Sequence, residues 1–234
     1  MEHRLISEII QRMPEIGKYK AEKHPTDYKV LIELINAIGT KYEPKFEIKE
    51  NQKKLYQNLC LYFTDNKKCE WDLTKGLMIH GKKGVGKSIC MKIFKQIYFT
   101  NHLHNLLKPS KSFSIFNMEA LSINDNKTEL FKALERNLFC DEVFRETKSD
   151  DKIINNYGTK EQPFSVAIHS MYRNFCDKSK LYHFTTNYWN VSGNANGEVF
   201  SQVYGSEIHD RIIEMCNIVE VKNEINGKSK SLRE

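Results

Sequence analysis

The chain has 234 residues, of which 40% are hydrophobic and 28% charged, with a formal net charge of +6. That balance excludes a disordered or fibrous protein, and the small basic excess permits a polyanionic partner without demanding one. No apolar run approaches the ~18 residues of a membrane span, and the charged start MEHRLISEIIQRM has no apolar core of the signal-peptide kind.

The expected elements run as follows. Leu5, Ile6, Ile9, Ile10 and Met13 share one face at helical spacing, and a second helix is expected over 27–38, stopped by Gly39. A third should run from Asn51 to Phe63 on a stripe of Leu55, Leu59 and Tyr62. These stripes read as core. From residue 76 short apolar runs alternate with amphipathic stretches. Strands are expected over 76–80, 112–116, 137–140, 181–185 and 217–221, and helices over 88–99, 127–134, 163–176 and 197–215. Strands separated by helices imply right-handed crossovers and a parallel sheet, whose ligands bind beyond the carboxyl ends of the strands. The polar stretch 147–162 is longer than a tight crossover needs and is expected to form a loop. The six scattered cysteines, with no Cys-x-x-Cys pair, fit free thiols in a reducing cytoplasm rather than a zinc or disulfide framework. His102 and His104, with no Cys or carboxylate beside them, make a poor metal site.

The decisive motif follows the first strand. Gly81-Lys82-Lys83-Gly84-Val85-Gly86-Lys87-Ser88 matches G-x-x-x-x-G-K-[ST] in full, between a strand and a helix. Glycines let successive backbone amides turn inward onto phosphate oxygens, and the following helix adds the positive end of its dipole. Lys87 is expected to reach the β- and γ-phosphates and Ser88 to ligate Mg2+; Lys82 and Lys83 belong to the loop with their side chains expected in solvent. The expected cofactors are therefore ATP and Mg2+. The third strand runs into Asp141-Glu142, where Asp141 would hold the metal through water and Glu142 would act as general base toward an attacking water. At the end of the fourth strand Asn187 is the first choice to hold that water, with Thr186 second. Arg211 and Arg233, two of only seven arginines among 36 cations, read either as solvated side chains or as groups stabilising charge on the γ-phosphate.

This set of motifs resembles the AAA+ ATPases, and within them the DnaC-type helicase loaders and their IstB-like transposition relatives. The marks are GLMIHGKKGVGKS, LFCDE, FTTN, YGSEIHDRI and the terminal KSLR, over roughly residues 50–234. The resemblance implies an α/β P-loop fold of three layers with a parallel five-stranded sheet, and a lid that is absent or truncated because the chain stops at Glu234. It divides the chain into a helical N-terminal region, 1–48, and an AAA+ domain, 49–234. Under it Asn187 matches sensor 1, Arg211 the arginine finger given to a neighbouring subunit, and Arg233 the second-sensor arginine. A finger donated in trans implies a nucleotide-dependent homo-oligomer, a ring or a spiral. The implied partners are single-stranded DNA and a replicative helicase. DNA contact would use Lys148, Lys152, Lys178 and Lys180 with Tyr157 and Tyr172, residues that read equally as a solvated face.

Two other functions share these motifs. A transposition helper would use the same fold on double-stranded DNA with a transposase, and a small-molecule P-loop kinase would close its arginines over an acceptor in cis. The acidic pair favours water as the nucleophile over a kinase acceptor.

Overall fold

The computed structural model describes residues 28–100, 107–116, 127–143, 154–156, 159–161, 163–187, 200–221, 224–225 and 228–229. The chain divides into two compact units, one formed by 1–73, 84–112 and 222–234 and the other by 74–83 and 113–221. The expected first helix, His102, His104, Lys148, Lys152, Tyr157 and Arg233 lie outside the described residues.

The second unit is built on a five-stranded sheet of β1 (Gly76–His80), β2 (Ser114–Phe116), β3 (Leu138–Cys140), β6 (Tyr182–Thr186) and β7 (Cys216–Glu220). Their order is β2-β3-β6-β1-β7, and every pairing is parallel. Every residue of β1 and β6 is buried, which explains the apolar run of β1 in place of alternation, while β6 also buries His183, Thr185 and Thr186. One sheet face supplies Met78, Leu138, Tyr182, Phe184 and Cys216 to the core. The helices α4 (Lys127–Leu134), α5 (Pro163–Lys178), α6 (Phe200–Tyr204) and α7 (Ser206–Met215) add Leu134, Ile168, Met171, Phe200, Ile208 and Ile212. On the opposite face Phe113 sits against Phe139 and His183, with ring centroids 6.1 and 5.2 Å apart.

Two expectations about this unit change. The segment expected as one helix over 197–215 is two helices, because Gly205 interrupts it at φ 83° and ψ 158°, a backbone region open almost only to glycine. Part of the polar stretch expected as a loop is an antiparallel pair, β4 (Ile154–Asn156) with β5 (Thr159–Glu161).

The first unit holds α1 (Tyr28–Tyr42), α2 (Lys53–Phe63) and α3 (Lys87–Phe99), with a short β8–β9 pair at Glu224–Ile225 and Lys228–Ser229. Helix α1 packs on α2 and α3. Its core holds Leu34, Ile35, Ile38, Leu59 and Ile93, with Phe63 stacked on Phe94 at 4.5 Å. Contrary to expectation Gly39 does not end α1, which continues to Tyr42. A side chain at 39 would place its Cβ 2.1 Å from the ring of Phe46, so glycine serves close packing there rather than termination. The buried Lys111 donates to the Leu73 carbonyl at 2.7 Å, lies 3.6 Å from Asp65 and stands 3.7 Å over the Tyr62 ring. No helix among the described residues is long and apolar enough to cross a membrane. None of the six cysteines forms a disulfide.

Candidate nucleotide site

Because the strands are parallel, their carboxyl ends lie along one sheet edge, where ligands of open α/β sheets bind. In the second unit β1 ends there at His80 opposite Thr186 of β6, and β3 ends at Cys140 opposite Phe184. Gly81, Lys82 and Lys83 leave β1 at this edge, Asp141 and Glu142 leave β3, and Asn187 follows β6. Lys82 and Lys83 are exposed, while Asp141, Glu142 and Asn187 are half-buried.

Thr185 joins two of these elements. Its buried hydroxyl donates to Asp141 Oδ1 at 2.7 Å and accepts the Glu142 N–H at 2.8 Å, while its carbonyl accepts the Val143 N–H at 2.8 Å. Glu142 takes φ 53°, in the left-handed region that is uncommon for a side chain of this size. Sequence reading favoured Asn187 and Thr186 on this strand and passed over Thr185. Nothing in the sequence set Thr185 apart from Thr186, the hydroxyl residue beside it in the same buried strand.

The remainder of the glycine loop belongs to the first unit. Gly84 and Gly86 adopt φ 83° and 92°, and Gly81 on the other side of the loop φ 150°, conformations that a Cβ would resist. Lys87 begins α3, one residue ahead of the expected start, and is 7% exposed; Ser88 is half-buried behind it. The Gly86 carbonyl accepts the Cys90 N–H at 3.1 Å, and the Lys87 carbonyl accepts the Cys90 thiol at 2.8 Å. Buried Gln52 donates to the Val85 carbonyl at 3.3 Å and so braces the loop from the helical turn Glu50–Gln52. No motif marked Gln52, which is distant in sequence and ordinary in type.

The loop conformation and the donor chemistry fit a magnesium nucleotide. Positive-φ glycines leading into a helix N-terminus make an anion-binding backbone. The Ser88 hydroxyl and Asp141 carboxylate are hard oxygen donors of the kind Mg2+ takes. Among the described residues no group of three His, Cys, Asp or Glu could hold a metal alone. Mg2+ ordinarily uses one or two carboxylates together with phosphate and water.

Arg211 on α7 is engaged within its own unit. Its guanidinium meets Glu207 Oε1 at 2.5 Å, donates to His169 Nδ1, and lies 5.2 Å from the centre of the Tyr172 ring. Tyr172 donates to Glu214, and that bond, ahead of the neighbouring Cys176, pushes the phenol up to about 12. Of the lysines considered for DNA, Lys178 pairs with Glu135 at 2.9 Å and Lys180 is half-buried.

No family model matches the chain, and neither does any curated protein. Solved structures do. A putative primosome component from Streptococcus pyogenes serotype M3 aligns at 15% identity over 77% of this chain and 85% of its own, with a TM-score of 0.47. The DnaC helicase loader aligns at 16% identity over 77% and 95%, with a TM-score of 0.49. AMPPCP-bound DnaA from Aquifex aeolicus aligns at 10% identity over 78% of this chain and 50% of its own, with a TM-score of 0.50. Likeness at these identities is a likeness of fold alone. The chain has an α/β fold with a parallel five-stranded sheet, and it shares that fold with AMPPCP-bound DnaA.

Proposed function

We propose that the chain is an AAA+ ATPase that binds ATP with Mg2+, hydrolyses it, and uses the cycle to load or remodel a DNA-bound partner. The observation that carries the chemistry is the acidic pair. Asp141 and Glu142 leave β3 at the same sheet edge at which β1 runs into Gly81, with Thr185 holding both. The AMPPCP-bound state of DnaA, a chain of the same fold, supports a nucleoside triphosphate as ligand. In this reading the backbone of Gly81–Ser88 and the Lys87 ammonium bind the phosphates, and Ser88 and Asp141 hold Mg2+. The metal supplies charge neutralisation at the phosphate oxygens. Glu142 takes a proton from the attacking water, Asn187 orients that water, and Arg211 and Arg233 meet charge on the γ-phosphate.

The partner is assigned from the motif order YGSEIHDRI before the last strand and KSLR after it, which resembles the loader subgroup. It points to a replicative helicase on single-stranded DNA and to a nucleotide-dependent homo-oligomer. Calorimetry with MgATP should register binding that Lys87→Ala abolishes. Glu142→Gln should keep binding and stop turnover, and wild-type turnover in that variant would refute Glu142 as the base. Mixing Lys87→Ala with Arg211→Ala should restore activity if sites are shared between subunits. No recovery at any ratio would favour a self-contained kinase-like site. Preference for double-stranded over single-stranded DNA in the presence of ATP would favour the transposition reading.

A further inference from the structure

We infer that Thr185 is a positioning residue that fixes the Asp141 carboxylate and the Glu142 backbone as one unit through a single hydroxyl, an inference that rests on the ATPase reading above. The hydroxyl has one proton and lone pairs to spare. The Glu142 N–H is already a donor, so it must take a lone pair, and the hydroxyl proton therefore goes to Asp141 Oδ1. A hydroxyl does both through one oxygen atom. Valine has the shape but neither donor nor acceptor.

The consequence reaches both acidic residues by different routes. Asp141 is tied at one oxygen, which sets the rotation of its carboxylate, and a carboxylate has about four lone-pair sites, so acceptor capacity remains for the water of a metal ion. Glu142 is held through its backbone. Its peptide N–H points at Thr185 while the next N–H, that of Val143, points at the Thr185 carbonyl, so two successive amides are bound to one residue. That double tie accounts for the φ of 53° at Glu142. A side chain in the left-handed region is strained and persists where the surroundings over-determine it. The left-handed turn sends the Glu142 side chain off in a direction a regular strand continuation would not give. Thr185 is itself 1% exposed on the central strand β6, paired with Ile79 of β1, so the anchor is rigid. Orientation of this kind matters to catalysis because a misplacement of about 1 Å in a reacting group costs on the order of a hundredfold in rate.

The test compares Thr185→Val, Thr185→Ser and the wild type in the full chain. Fluorescent ATP-analogue binding should change by no more than about threefold in Thr185→Val, while kcat falls about tenfold to a hundredfold. Thr185→Ser should recover most of the loss. A kcat for the valine variant within about threefold of wild type, or a serine variant as slow as the valine one, overturns the inference. A second measurement needs no nucleotide. If Thr185 holds residue 142 in its left-handed turn, Glu142→Gly should raise the unfolding midpoint in the wild-type background and gain less in the Thr185→Val background. Equal gains in both backgrounds also overturn the inference. A wild-type chain that binds no nucleotide sinks the ATPase reading, whereas the unfolding cycle still decides whether Thr185 holds the turn.

Discussion

Gly76→Ala is the substitution whose cost can be worked out most directly. Gly76 opens β1, the strand flanked by β6 and β7 and the one that feeds the glycine loop. A Cβ built at Gly76 lies 1.7 Å from the Tyr182 carbonyl oxygen, 2.7 Å from its carbon and 3.1 Å from its nitrogen. A carbon–oxygen contact normally needs about 3.3 Å, so β1 and β6 would have to separate by roughly 1.6 Å at this point. The obstacle is backbone, and no rotamer change relieves it. Separation would stretch the ladder at Leu77↔His183 and pull on the bond from Asn217 Nδ2 to the Gly76 carbonyl, now 3.1 Å. Overpacking ordinarily costs about 1–3 kcal/mol, and with a strained ladder bond added we expect at least about 3 kcal/mol. For a chain of this length that is a fall of roughly 6–12 °C in Tm. Urea unfolding followed by circular dichroism, read as a shift in midpoint at constant slope, measures it. A Gly76→Ala variant within about 0.5 kcal/mol of wild type would refute the close approach of the two backbones, since changes that small are typical of featureless surface sites.

Two further tests concern stability. Burial raises the thiols of Cys60, Cys140 and Cys216 above 9.0, Cys60 to about 12. Between pH 9 and 12 the unfolded chain loses these protons and the folded chain keeps them, so stability present below pH 9 falls as pH rises, by about 1.4 kcal/mol per unit for Cys60 alone. Burial lowers the Lys111 ammonium and works the other way, since the folded chain sheds that proton first, but one lysine does not offset three thiols. A Tm unchanged between pH 8 and 10.5 would refute the burial of these thiols. Lys111→Met keeps the volume but strands the Leu73 carbonyl and removes the cation over Tyr62, for an expected loss of about 2 kcal/mol in urea unfolding. A Met variant as stable as wild type would show that desolvation of the ammonium already cancels its contacts.

The amino-acid sequence determined the fold class and the backbone conformation of the glycine loop, because both depend on short-range pattern. Buried strands announce themselves as apolar runs. A phosphate-binding loop needs glycine where φ is positive, and Gly84 and Gly86 stand at such φ values. The acidic pair after β3 was legible for the same reason: two carboxylates at the end of an apolar strand have no packing role. Helix ends were less legible. Gly39 has the composition of a stop, yet it lies within α1 because the Phe46 ring, seven positions on, fills the space a side chain would take.

Only the tertiary structure decided which residues hold the acidic pair and the loop. Thr185 meets Asp141 from 44 positions away, Gln52 meets Val85 from 33, and His169 meets Arg211 from 42. Each contact depends on strand register or helix packing, which set neighbours by geometry and leave no local mark on composition. A threonine in a buried strand is ordinary until the register places its hydroxyl between a carboxylate and an amide. The sequence offers the candidate groups, and the packing of distant segments sets which neighbours they meet.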